Sequence, residues 1–183
     1  MRSAHQCNNI LASLFAHAFA AFTIGSSYSE KKQKTKFLLL CCFCAVIPDA
    51  DVLMLRFVSY DHPLGHRGFF HSFFFCFVLS LLLTFIFYRK EKSKIRYIFF
   101  FFLCGASHAL LDMLTNGGLG VAIFAPFSNH RYFFPWHPIQ VSPIGIHHFF
   151  GEWGLRVLLS EFIWIGIPYI LYLILRRLVI RQQ

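Results

Sequence analysis

From Phe69 to Tyr88 the chain runs for twenty residues without one Asp, Glu, Lys or Arg. That is the length a helix needs to cross a bilayer core, roughly 20 residues. Further apolar segments run from about Asn9 to Ile24, Phe37 to Ile47, Ile95 to Leu114 and about Leu155 to Leu175. A soluble domain of 183 residues could hide only one or two such helices. The chain is therefore expected to be all-α, a polytopic membrane bundle of about five apolar helices forming a single domain over 1–183. Charged residues make up 14%, against about 25% in an ordinary soluble domain. The second segment is short for a full crossing, and Pro48 ends it because proline lacks the N–H donor and clashes with the preceding turn. Only Arg2 precedes the first segment and no A-x-A site follows, so it reads as a retained helix.

The net charge of +9 could point to nucleic acid, but its distribution excludes that partner. Lys31, Lys32, Lys34 and Lys36 form one run, Arg89, Lys90, Lys92, Lys94 and Arg96 a second, and Arg176, Arg177 and Arg181 a third. Each borders an apolar segment, which is the positive-inside pattern, with membrane lipids as the partners of these runs. Placing them in the cytoplasm puts the N-terminus outside and the C-terminus inside. The segments from Pro48 to Gly68 and from Thr115 to Gly154 then face outward as irregular loops.

Against this apolar background stand His17, Asp49, Asp51, His66, His71, His108, Asp112 and Glu161. Ionisable groups at membrane depth are costly and mark function by default. His108 and Asp112 lie one helical turn apart on one face, near the small Gly105 that permits close helix approach. Asp49 and Asp51 follow the second segment and suit a cation, or two ions bridged by a carboxylate. His66 and His71 flank the start of the third segment in Gly65-His66-Arg67-Gly68-Phe69-Phe70-His71-Ser72, the densest polar motif in the chain. Imidazole is a common zinc ligand, and Arg67 could neutralise an anion. Counted from the nearest basic residue, the groups lie between 12 residues away (His108 from Arg96) and 18 (His71 from Arg89). At about 1.5 Å per residue this is one slab roughly 18–27 Å above the inner boundary, the outer half of the bilayer. A shared depth is the mark of a single site. The bland alternatives are a buried His–Asp hydrogen bond for the H-x-x-x-D pair, a solvated turn for Pro48–Asp51, and an Arg156 partner for Glu161.

His148 and Glu152 form an H-x-x-x-E pair outside that slab and are tentative substrate contacts. Arg131 lies in the long outer loop, where it would face an anion, while Trp136 and its aromatic neighbours would anchor the loop at the interface. The six Cys residues lie mostly in apolar segments, and Cys41-x-x-Cys44 reads as small residues in a helix.

The combination of His17, Pro48-Asp49-Ala50-Asp51, Gly65 through Ser72, and Ser107-His108 with Asp112 resembles the bacterial inner-membrane metal-dependent hydrolases. The resemblance runs from His17 to Glu161. It implies metal ligands at His17, Asp49, Asp51, His66, His71, His108 and Asp112, with Glu161 at an acidic position in the last helix. The ligand order is also similar to that of the soluble zinc-dependent phospholipases C, where His148 and Glu152 would close the set.

The expected protein is a hydrolase of the bacterial inner membrane, with its site near the outer face. Its cofactor would be a divalent metal, zinc first, with manganese or iron also suited to His and carboxylate. Asp49 or Asp51 would bridge ions or take a proton, Glu161 would act as general base, and Arg67 or Arg131 would stabilise an anionic transition state. The location suggests an ester or phosphoester of a lipid or lipid-linked substrate. Two rivals come from other classes. A metal-ion transporter would need polar residues in the inner half too, whereas Phe77–Tyr88 and Ile98–Cys104 are almost purely apolar. A non-catalytic scaffold would close its structural metal site, leaving no open position.

Overall fold

A computed structural model describes residues 14–28, 34–141 and 151–181. Among them the regular structure is helical, with only two isolated bridges, Thr115 to Ile139 and Val121 to Tyr132. The helices are α1 (Leu14–Ser27), α2 (Lys34–Val46), α3 (Phe73–Phe87), α4 (Lys94–Met113), α5 (Glu152–Glu161) and α6 (Ile167–Arg181). α5 and α6 form one rod, so five rods make up the bundle. Three helical stretches, Lys34–Arg56, Lys94–Met113 and Glu152–Leu175, are long and apolar enough to cross a membrane, and α1 and α3 are shorter apolar helices.

Pro48 changes the second rod without stopping it. The α-helix ends at Val46, and the chain continues as a 3₁₀ helix over Ile47–Arg56 with proline in its first turn. Ten residues is long for 3₁₀ structure, which rarely exceeds three or four. Its three-residue turn sets Asp49 and Asp51 about 120° apart around the rod, on two different faces. A second irregularity interrupts the last rod. Phe162–Gly166 is a π turn, closed by the Ile167 N–H on the Phe162 carbonyl. Pro168 follows at once; its missing N–H and its crowding of the Trp164 carbonyl account for the widened turn.

α1, α2 and α4 pack together, and α3 packs on α4. Gly105 is what lets α3 and α4 approach: a Cβ there would lie 3.0 Å from the Cys76 sulfur. The half of the bundle nearest the basic runs is filled by Phe37, Cys41, Tyr88, Tyr97, Phe101 and Cys104. Leu82, Phe85, Phe99 and Leu171 point outward, each at least half exposed, as lipid-facing side chains do. The α5–α6 rod stands at the margin, with only 11% of its apolar window buried. It is held by the Trp153 indole donating to the Val141 carbonyl, by Ser160 Oγ accepting the Gln140 N–H, and by ring contacts Phe19–Tyr169 and Trp136–Trp164.

Candidate metal centre

Seven of the ionisable groups read from the sequence converge at one end of the bundle, from four separate stretches of chain. α1 brings His17, the 3₁₀ helix brings Asp49 and Asp51, and the turn before α3 brings His66 and His71. α4 brings His108 and Asp112. All are buried except Asp49, which is partly so.

Two sets of ligand atoms lie close enough to hold an ion. One comprises Asp49, His71, His108 and Asp112, the other Asp51, His66 and His71, and within each set the atoms lie within 4.8 Å of one another. In the first, His71 Nε2 is 3.2 Å from Asp112 Oδ2 and 3.7 Å from Asp49 Oδ1, while His108 Nε2 is 3.5 Å from both oxygens. The His17 ring stacks on His108 at 3.8 Å between centroids, and its Nε2 is 3.6 Å from Asp112 Oδ1. In the second set, Asp51 Oδ1 accepts a hydrogen bond from His66 Nδ1 at 2.6 Å, and Asp51 Oδ2 is 3.0 Å from His71 Nδ1.

A divalent ion fits the first set on the chemistry of its atoms. His71 Nε2, His108 Nε2, Asp49 Oδ1 and Asp112 Oδ2 are buried and make no hydrogen bond; His17, expected as a ligand, belongs to neither set, though its Nε2 beside them is also buried and unbonded. Converging lone pairs without donors are expensive in a dry interior, and a cation removes that cost. The donor set, imidazole with carboxylate, suits zinc, manganese or iron.

The turn over Tyr60–His71 is shaped to bring these groups together. A Cβ at Gly65 would lie 2.6 Å from the Tyr60 carbonyl oxygen, and one at Gly68 would collide with the Pro63 carbonyl. Between them Arg67 is left-handed, with φ of 62°, a conformation costing an ordinary residue about 1–2 kcal/mol. Ser72 then caps α3, its Oγ accepting the Phe75 N–H.

Four expectations need correction. Arg67 does not face an open site. Its guanidinium is fully buried and donates to the Gly117 carbonyl at 2.8 Å, Thr115 Oγ1 at 3.0 Å and Asp112 Oδ1 at 3.2 Å. Arg131 does not face an anion either. Its two terminal nitrogens donate to the carbonyls of Tyr60, His62, His66 and Gly120, so it fastens the outer loop to the site turn. The guanidinium also lies 5.5 Å from the Tyr60 ring centre, and burial pushes the Tyr60 hydroxyl up to about 12, so that ring stays neutral. Glu161 belongs to neither ligand set. It is buried in the wall of an apolar groove of about 820 Å³ with Phe15, Ala16, Phe19 and Phe22 of α1. At 3.6 residues per turn, Phe15, Phe19 and Phe22, which line this groove, share the face of α1 opposite His17. Glu152 is exposed at the start of α5 and joins neither set; its partner His148, like Ser142-Pro143-Ile144-Gly145, lies outside the described residues. Residues 115–141 of the outer loop lie on the site turn, with the Ala122 N–H on the Arg67 carbonyl and the Phe73 N–H on the Ile123 carbonyl. The roles of Ala45 and Thr115 had no sequence signal. The Ala45 carbonyl accepts from His108 Nδ1 at 2.6 Å, and Thr115 bridges Arg67 to the Asp112 carbonyl.

The model of the YdjM inner membrane protein family matches residues 13–182. The inner membrane protein YbcI of Escherichia coli (strain K12) is 37% identical over 160 residues, covering 86% of this chain and 92% of that one. No solved structure matches.

Proposed function

The chain belongs to the YdjM inner membrane protein family, and from the buried cluster we propose that it is a membrane-bound, metal-dependent hydrolase. The observation that carries this reading is the set Asp49, His71, His108 and Asp112, whose ligand atoms lie within 4.8 Å of one another with lone pairs unmatched by any donor. A divalent ion held there would lower the pKa of a water and polarise an ester or phosphoester bond.

The residues divide the work by position. His71 and His108 present Nε2, and Asp49 and Asp112 present carboxylate oxygens toward one point. His17 covers one side by stacking on His108. Asp49 is the one partly exposed member, so it is the carboxylate placed to take a proton from an incoming water. The outer loop excludes solvent from the opposite side. The orientation we propose puts the basic runs in the cytoplasm, the N-terminus outside, the C-terminus inside and the cluster toward the outer face. A site so placed takes a lipid or lipid-linked ester or phosphoester. Zinc is the first choice of ion.

Ion transport is the weaker reading. Toward the basic runs the bundle interior is filled by Phe37, Tyr88, Tyr97 and Phe101, which leaves the cluster as a one-sided pocket.

The test is metal content of detergent-purified protein beside His108→Ala and Asp112→Ala, followed by a phosphodiester and ester screen on lipid micelles. Stoichiometric metal, lost in both variants, together with cleavage abolished in both, is the expected result. Wild-type protein that stays folded and takes up no metal when supplied would end this reading in favour of a hydrogen-bonded polar core.

A further inference from the structure

The two candidate ligand sets share His71, and its two ring nitrogens face opposite ways. Nε2 looks toward Asp49 and Asp112, and Nδ1 toward Asp51. Both sets could hold ions only with this imidazole as a bridge stripped of both protons. The surroundings of Asp51 point elsewhere. Its Oδ1 takes the 2.6 Å bond from His66 Nδ1, and its Oδ2 takes the Arg67 backbone N–H at 3.2 Å besides facing His71 Nδ1 at 3.0 Å. A carboxylate only accepts, which puts a proton on His66 Nδ1; His71 Nδ1 lies 3.0 Å from Oδ2 without hydrogen-bond geometry, and the negative charge beside it favours the proton on that nitrogen. That tautomer leaves His71 Nε2 as a lone pair aimed at the first set. His108 is arranged alike, its Nδ1 donating to the Ala45 carbonyl while Nε2 faces Asp49 and Asp112. Asp112 is held in the same manner from outside: Arg67 binds Oδ1, and Oδ2 is left to the centre. Carboxylate or carbonyl behind histidine is how metal ligands are oriented.

Charge leads to the same answer. Asp49, Asp51 and Asp112 carry three negative charges in this interior and Arg67 one positive. With neutral histidines, one divalent ion brings the cluster to zero. A second would leave two uncompensated positive charges among buried groups, a severe cost.

We infer that the centre holds a single divalent ion, at Asp49, His71, His108 and Asp112, and that Asp51 and His66 bind none. Asp51 is a positioning residue that fixes the His71 ring, and His66 is its second tenant. The inference rests on the metal-centre reading and not on hydrolysis, so protein that binds zinc and cleaves nothing leaves it standing.

The test is zinc stoichiometry and affinity of the full chain in detergent, stripped by chelator and titrated with zinc. Wild type should bind one ion per chain. Asp51→Asn and His66→Ala should still bind one, and Asp51→Asn should bind it about 10- to 100-fold more weakly, as loss of an outer partner does. Two zinc ions per wild-type chain, or loss of all zinc in His66→Ala protein that remains folded, would overturn it. Should the variants not fold, manganese-loaded wild type decides the matter. An isolated-ion paramagnetic resonance spectrum is expected, and an exchange-coupled pair would sink the single-ion centre.

Discussion

Arg67 concentrates much of the physical chemistry of this site in one residue. Its left-handed backbone turns its N–H toward Asp51 while its guanidinium reaches Asp112 and two further acceptors. Glycine would relax the backbone but remove a buried charge whose partner stays behind, and breaking one side of a buried pair costs about 3–5 kcal/mol. Arg67→Ala should therefore lower thermal stability sharply in detergent melts and weaken metal binding, with Arg67→Lys intermediate because a single ammonium cannot reproduce three separate donors. An Arg67 that instead served a bound substrate would leave the melting temperature of the free protein unchanged on truncation. Glu161 calls for the opposite expectation. Since it belongs to neither ligand set, Glu161→Gln should retain full metal stoichiometry, and loss of the ion in that variant would show the carboxylate reaching the centre after all. Residue counting supplies a depth and nothing more; which way a side chain points around its helix depends on neighbours that have no sequence signature. The same limit hid the internal duties of Arg67 and Arg131, because a guanidinium facing a substrate and one facing carbonyls look alike in one dimension.

Among the elements, the 3₁₀ segment Ile47–Arg56 deserves the closest test. It sets Asp49 on the Nε2 side of His71 and Asp51 on the Nδ1 side. Pro48→Ala restores the donor that favours a continuous α-helix, in which a turn of 3.6 residues would separate the two carboxylates by about 160° on their far sides. The variant should insert and fold, keep helical content by circular dichroism, and bind zinc at least 10-fold more weakly; unchanged affinity would mean that the 3₁₀ winding has no part in the site. Hydropathy located all five rods; most described ends moved by a few residues, while the second rod runs nine residues past its expected end to Arg56. The conversion at Pro48 and the π turn before Pro168 were not legible, because proline announces a broken α-helix without saying what the chain does next.

At the scale of the whole molecule, orientation is the statement most open to direct measurement. With the basic runs cytoplasmic, an impermeant chelator added to spheroplasts should strip the ion from the outer side, whereas inverted vesicles should protect it. The reverse result would invert the topology argued from charge. The cluster also joins pieces that have little else in common. His17, Asp49, His71 and Asp112 stand on four separate stretches of the chain, and three of those stretches lie in apolar rods that lipid would stabilise equally well apart. An ion held by Asp49, His71, His108 and Asp112 would rivet three of these girders together, with His17 of the fourth stacked on His108. Without it, unmatched carboxylates and imidazoles would loosen the outer end of the bundle, the kind of opening that membrane proteases grip. The cell's supply of the ion would then govern how long each copy survives, and a metal-starved bacterium would lose this protein by turnover before it lost it by inhibition.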